Sequence, residues 1–218
     1  MATDRRGYMR EEIKLREPFG VSAAVESSRL LATAAGKLGK KNVLDLGTGS
    51  GYVGIYLAKQ GATVTAVDVS PIAVEVATGN AKENNVSIAI FQSDLFEKVR
   101  DLFDLIIWNA PVGDAAGSRI VDVVKSVIRK LPLVYKFAQS MTYKLFLKER
   151  TGLDKKVAKE AYQYLQNDGI LLLLIIDGEE EALVPFALSL GYKREDLDSS
   201  ALRRTIKGSF LLLKKQNV

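Results

Sequence analysis

Apolar positions recur along the chain with two periods. Ala24, Ser28, Leu31, Ala35 and Leu38 share one face at the 3.6-residue spacing, and Ser22 can cap, so residues 21–38, within an N-terminal segment 20–40, predict a helix. Val43 to Leu46 is a short apolar strand, followed by a glycine-rich turn from Gly47 to Gly51 and a helix from Tyr52 to Lys59. Thr63 to Val67 alternates β-branched residues and ends at Asp68, the signature of a second strand. Ser70-Pro71 is a strong helix start, with Ser at the N-cap and Pro at the first helical position, and that helix runs to about Asn84. Val86 to Phe91 and Asp104 to Trp108 predict a third and a fourth strand. Strands alternating with helices at this spacing mean βαβ units and a parallel sheet.

After Trp108 the alternation stops for about sixty residues. Three apolar stripes with helical spacing follow: Ile120 to Leu131, closed by Pro132; Val134 to Leu145; and Val157 to Leu165, which starts near Asp154 and is stopped by Asn167-Asp168-Gly169. Residues 114–167 therefore form a helical insertion in a single domain spanning 1–218. Ile170 to Ile176 is apolar at every position, as a strand buried on both faces requires. A helix with Glu179 to Glu181 in its first turn ends at Gly191. Tyr192 to Leu197 and Ser209 to Leu213 predict a hairpin-like pair at one sheet edge.

Composition narrows the chemistry. The 218 residues contain no His and no Cys. That excludes the Ser-His-Asp triad, Cys/His metal sites, disulfides and thiolate nucleophiles. Methylation at carbon 5 of a pyrimidine, which needs a covalent thiolate, is excluded with them. The longest apolar run, 170–176, is far short of the ~20 residues of a membrane span. The N-terminal stretch has no apolar h-region, so the expectation is a cytoplasmic chain without a signal peptide or membrane partner. The net charge is +5, yet residues 114–160 alone hold eleven Lys or Arg against five acids. Such a stretch is either a solvated helical face or a platform for an acidic partner such as RNA, with Lys125, Arg129 and Lys136 as candidate contacts.

The segment VLDLGTGSGYVG supports two readings. Gly49 to Gly54 fits the G-x-G-x-x-G of dinucleotide sites, which would make the chain an NAD(P)-binding oxidoreductase. Gly47-Thr48-Gly49-Ser50-Gly51 fits the G-x-G-x-G of S-adenosylmethionine (SAM) sites. Charge separates them. Asp45, two residues before the first glycine, would repel a pyrophosphate but suits the cationic aminoacyl end of SAM. Asp68 ends the second strand, where an acidic side chain can accept both ribose hydroxyls. Asp94, after the third strand, can accept from an adenine amine or cap a short helix. All three acids fall at the carboxyl edge of the strands, where ligands bind in open α/β sheets.

These segments, with VDVSPIAVEVATGNAKENN, QSDLF and FDLIIWNAP, resemble the class I SAM-dependent methyltransferases. Within these the chain is similar to the HemK-like, small-methyltransferase branch, closely over 43–112 and loosely over 170–213. Glu26-Ser27-Ser28 resembles a weak upstream element of that branch. The resemblance implies a Rossmann-like, doubly wound seven-stranded sheet with its last strand antiparallel. It implies SAM contacts from Asp45, Gly47, Gly49, Asp68 and Asp94, in a candidate set that also holds Thr48, Gly51, Val69, Leu95 and Asn109.

It further implies N-methylation of a glutamine side chain or an RNA base amine. In the branch, an Asn-Pro-Pro-Tyr motif follows the fourth strand; here Asn109-Ala110-Pro111-Val112 stands in its place. The Asn side-chain oxygen and the next residue's carbonyl would accept from the target NH2 and aim its lone pair, so catalysis is chiefly orientation. Pro111 holds Ala110 extended. Val112 replaces the aromatic that stacks on a flat substrate, so either another ring (Phe19, Tyr135 or Phe137) serves or the substrate differs. A noncatalytic SAM-binding module is the alternative that this departure raises.

Overall fold

A run such as Leu171 to Ile175 has no polar face to turn to water. The computed structural model buries all five of these residues inside a seven-stranded sheet. The structure describes residues 13–16, 26–110, 132–200 and 208–216, with side-chain surroundings left aside for 132–145. In chain order the elements are α1 (Glu26–Lys37), β1 (Asn42–Leu46), α2 (Tyr52–Lys59), β2 (Thr63–Asp68), α3 (Pro71–Glu83), β3 (Ala89–Gln92), β4 (Phe103–Trp108), α4 (Pro132–Tyr164), β5 (Leu165–Ile176), α5 (Glu180–Ser189), β6 (Tyr192–Glu195) and β7 (Gly208–Lys215). The sheet order is β3-β2-β1-β4-β5-β7-β6. The first five strands are mutually parallel, and β7 runs antiparallel to both β5 and β6.

Alternation along each inner strand feeds two cores. Leu171, Leu173 and Ile175 of β5 join Ile106 and Trp108 of β4 against Val157, Ala158 and Ala161 of α4 and Leu183 of α5. Ile170, Leu172 and Leu174 join Leu105 and Ile107 on the other face, against Leu30, Leu31 and Ala35 of α1 and Val53 and Leu57 of α2. The start of α3 is as expected: Ser70 Oγ accepts from the Ala73 N–H at 3.3 Å, with Pro71 at the first helical position.

The boundaries differ from the sequence reading in three places, and the last pair is as expected. The stripes 134–145 and 154–164 lie on one helix of 33 residues rather than on two, and Leu165 already begins β5. Gly152, between them, meets nothing within 4 Å of its Cβ position, and a glycine in a helix costs only about 1 kcal/mol relative to Ala. Asn167-Asp168-Gly169 does not stop an element; it is an irregularity inside β5, where the register shifts between Phe103↔Leu165 and Leu105↔Ile170. Asp168 there has φ +60°, and a Cβ on Gly169 would lie 2.8 Å from the Gln166 carbonyl. β3 begins at Ala89, not Val86, because Val86 N–H still bonds back to Ala81 O at 3.1 Å to close α3. The last pair is antiparallel at one end of the sheet, with β6 at the edge and β7 inside it. Ser22, Ala24, the stripe 120–131, Lys125 and Arg129 lie outside the described residues. No described helix is long and apolar enough to cross a membrane.

Candidate active site

β1 and β4 are neighbours, but β1 leads to β2 on one side and β4 precedes β5 on the other. Such a switch point opens a crevice at the carboxyl edge of a parallel sheet. Leu46 pairs with both Val67 and Trp108, and Asp68 pairs with Gln92. Gly47, Val69, Ser93 and Asn109 therefore stand just beyond their strands at one edge.

The glycine loop is built by left-handed backbone. Gly47, Gly49 and Gly51 have φ of +68°, +55° and +83°, a region L side chains rarely adopt. Space is also short, since a Cβ at Gly47 would sit 3.0 Å from the Trp108 ring and one at Gly51 3.1 Å from Ala77 Cβ. Asn80, fully buried on α3, donates to Ser50 O at 2.9 Å and exchanges hydrogen bonds with the Arg16 backbone, so it ties the loop to the segment 13–16.

Asp45 lies beneath this loop, 4% exposed. Its Oδ2 accepts from Thr48 Oγ1 at 2.7 Å and from the Gly54 N–H at 3.0 Å. Burial outweighs these two bonds and pushes its carboxyl up to about 6. The Gly54 N–H belongs to the first turn of α2, where a pyrophosphate would seek donors. A carboxylate occupies it instead, which disfavours the dinucleotide reading. Asp68 Oδ2 accepts from the Gly49 N–H and Oδ1 from the Ser70 N–H, both at 2.9 Å. The apolar side chain of Val69 is 63% exposed at the rim. Asp94 is exposed, and Leu95 is half-buried with φ +46°. Ser93 ties this turn, donating to Leu95 O at 2.9 Å and accepting from the Lys98 N–H at 3.0 Å. No helix follows directly on Asp94 among the described residues, so its capping reading does not hold there, and Ser93 closes the turn instead.

Asn109 opens the other half of the site. Its Nδ2 donates to Ser28 Oγ at 3.3 Å, so the upstream Glu26-Ser27-Ser28 element does meet the motif. Its Oδ1 is buried and has no partner among the described residues. The Ala110 carbonyl accepts from Arg150 Nη1 at 2.8 Å. Pro111, Val112 and Phe19 lie outside the described residues, as do the side-chain surroundings of Tyr135, Lys136 and Phe137.

Behind Ala110 lies a buried polar network. Arg150 Nε donates to Glu179 Oε2 at 3.0 Å and Nη2 to Leu174 O at 2.7 Å, with side chains 2% and 0% exposed for the ion pair. Glu179 Oε2 also accepts from the Ile176 N–H at 2.8 Å. Trp108 Nε1 donates to Asp154 Oδ1 at 2.6 Å. Burial first, then the charge of Glu179, hold the Asp154 carboxyl well above the usual carboxylate range.

The family described as the methyltransferase small domain matches residues 17–133, more than half of the chain. The chain belongs to the methyltransferase small domain family. A Methanocaldococcus jannaschii protein provisionally named a protein N5-glutamine methyltransferase is 44% identical over 102 residues, 46% of this chain and 52% of that protein. A release factor glutamine methyltransferase of Lactococcus lactis is 32% identical over 135 residues, 61% of this chain and 46% of the other. A ribosomal RNA small subunit methyltransferase C of Alcanivorax borkumensis is 34% identical over 116 residues, 51% of this chain and 35% of the other. The chain spans about half the length of the first two of these curated relatives. The crystal structure of a methyltransferase from Pyrococcus furiosus superposes with a TM-score of 0.66 at 18% identity, over 94% of this chain and 90% of that one.

In this methyltransferase small domain, sequence reasoning missed Arg150, Asp154 and Glu179. A signal was present. Arg150, Asp154, Val157 and Ala161 follow one helical face, so two charges sit where the apolar stripe predicts core. Glu179 reads as an ordinary acidic first-turn residue, yet it is fully buried.

Proposed function

We propose that this chain transfers the methyl group of SAM to the planar NH2 of a glutamine side chain in a protein. The observation that carries the reading is the Asn109 amide. Its Oδ1 is a buried acceptor with no partner among the described residues, while Nδ2 is held by Ser28. A buried polar atom costs free energy unless something bonds to it, and an acceptor NH2 would supply the hydrogen. The named glutamine methyltransferases among the relatives support the same substrate class.

The residues present fit SAM. Each Asp68 oxygen spends one lone pair on the loop backbone and keeps another for a ribose hydroxyl. Val69 and Leu95 offer apolar contact to an adenine ring, and Asp94 an acceptor at its edge. Asp45, Gly47, Thr48, Gly49 and Gly51 form the wall beside the aminoacyl end. SAM supplies a methyl group on a cationic sulfonium. Asn109 Oδ1 holds one N–H of the acceptor and turns the nitrogen lone pair into the crevice, while Ala110 and Pro111 set where that amide stands. Orientation alone can supply much of such a barrier, in keeping with a chain that has no His.

An RNA base amine presents the same NH2 and is the second reading. It is favoured by the +6 charge of residues 114–160 and by exposed Lys148, Lys156 and Lys159 on α4. A tritiated-methyl assay on protein and RNA fractions of an extract, with calorimetry of S-adenosylhomocysteine, tests both. Label in protein that vanishes with Asn109→Ala, at an unchanged dissociation constant, supports the glutamine reading. Label in RNA alone, with affinity for single strands falling by a slope of about 0.7 per phosphate with log salt, moves it to the second. Binding of S-adenosylhomocysteine without label in either leaves a noncatalytic module, and an Asn109→Ala variant with full turnover overturns the assignment.

A further inference from the structure

The β4–β5 ladder ends at the pair Trp108↔Leu173. Beyond it, Asn109 and Ala110 leave the sheet while β5 continues to Ile176. No strand pairing holds the segment that carries the candidate acceptor group. Arg150, reaching from α4, fills that place: one guanidinium nitrogen donates to Ala110 O at 2.8 Å and another to Leu174 O at 2.7 Å. Two carbonyls at the diverging ends of neighbouring strands are both acceptors, so only a group with several fixed donors can join them.

The third donor is what holds Arg150 in place. Nε bonds Glu179 Oε2, which also receives the Ile176 N–H. The remaining carboxyl oxygens, Asp154 Oδ2 and Glu179 Oε1, are buried with no hydrogen-bond partner among the described residues. Asp154 in turn receives Trp108 Nε1, and the Trp108 ring packs beneath Gly47. A buried ion pair is weak support for stability, since apolar residues of equal volume often serve as well. Its position here says more than its energy does.

We propose that Arg150 is a positioning residue for methyl transfer: it clamps the Ala110 carbonyl to β5 and so fixes where the Asn109 amide stands. The inference rests on the acceptor role given to Asn109 above. It ties the acceptor half of the site to the long helix of the insertion, alongside the Trp108–Asp154 bond.

Hydrogen–deuterium exchange on the full chain tests the clamp without reference to activity. Arg150→Lys keeps a charge for Glu179 but cannot reach both carbonyls and the carboxylate together. The peptide spanning 107–110 is expected to exchange at least tenfold faster in this variant, while the glycine loop 44–54 stays within twofold of the parent. Fluorescence of Trp108, the sole tryptophan, reports whether the network beneath is retained. Should Arg150→Lys not fold, the paired variant Arg150→Met with Glu179→Gln removes both charges and is read in the same way. S-adenosylhomocysteine affinity is expected within twofold of the parent, with methyl transfer down about tenfold or more. Unchanged exchange over 107–110, equal loosening of both segments, or full turnover in a variant whose 107–110 segment is loosened would each overturn the clamp. Loss of turnover in Arg150→Lys alongside full turnover in Asn109→Ala would instead overturn the acceptor role and leave the clamp standing.

Discussion

The two halves of the crevice are held by different kinds of contact. Around the glycine loop, Asp45 bonds Thr48 and Gly54, three and nine residues away, and Asp68 bonds Ser70 and Gly49, two and nineteen away. Around Asn109 the separations are 81 to Ser28, 40 from Arg150 to Ala110, and 46 from Trp108 to Asp154. The first half is organised by its own stretch of chain, at little loop-closure cost. The second exists only when α1, β4, α4 and β5 have all packed. The cofactor side of such a site can therefore persist while the acceptor side is rearranged, and each can be damaged alone.

The largest effect separating the halves is expected from Arg150→Met. It leaves Glu179 charged, buried and unpaired, which typically destabilises by about 3–5 kcal/mol. Adding Glu179→Gln should restore most of that loss; urea denaturation of both variants measures it, and no recovery would mean the pair is not the source.

Next in size is the pH dependence that the loop half contributes through Asp45, beside that of the raised Asp154 in the other half. Asp45 titrates near 6 when folded against 3.8 when unfolded, so the folded chain binds more protons between those values. Its stability contribution is full below about pH 4, falls as pH rises to about 6, and is flat above, by an order of about 3 kcal/mol. Asp45→Asn keeps the acceptor for Thr48 and Gly54 and should lose this slope. Stability curves of parent and variant that stay parallel from pH 4 to 7 would contradict the burial argument.

A smaller and sharper effect is expected from Asp68→Ala. Charged hydrogen bonds contribute about 1.5–3 kcal/mol, so S-adenosylhomocysteine affinity should drop tenfold or more. Exchange over 107–110 should not change, because the hydrogen bonds of Asp68 go to Gly49 and Ser70. An unchanged dissociation constant by calorimetry would remove Asp68 from the cofactor side.

Much of this site was legible before any coordinates. Three glycines in five residues announced left-handed backbone, and all three adopt it. The all-apolar 170–176 run announced a strand covered on both faces, and its odd and even residues do enter opposite cores. Asp45, next to last in β1, and Asp68, ending β2, stand at one edge because strand periodicity and parallel pairing leave them nowhere else. These are local facts, carried by backbone preference and by a period of two or 3.6 residues.

Other features were decided only by packing. The stripes 134–145 and 157–165 read as separate helices, yet α4 runs through Gly152 between them, since the tertiary contacts of Val157, Ala158 and Ala161 outweigh its helix penalty. Asn167-Asp168-Gly169 reads as a stop, yet pairing with β4 resumes on both sides of it. Arg150, Asp154 and Glu179 read as solvated charges, because a sequence shows what a side chain carries and not what surrounds it. From the sequence alone came the fold class, the glycine loop and the acids beside it. The tertiary structure alone set the burial of a guanidinium between two strand ends and the pairing of Asn109 Nδ2 with Ser28 that leaves its buried oxygen unpartnered among the described residues, because both rest on partners far away in the chain.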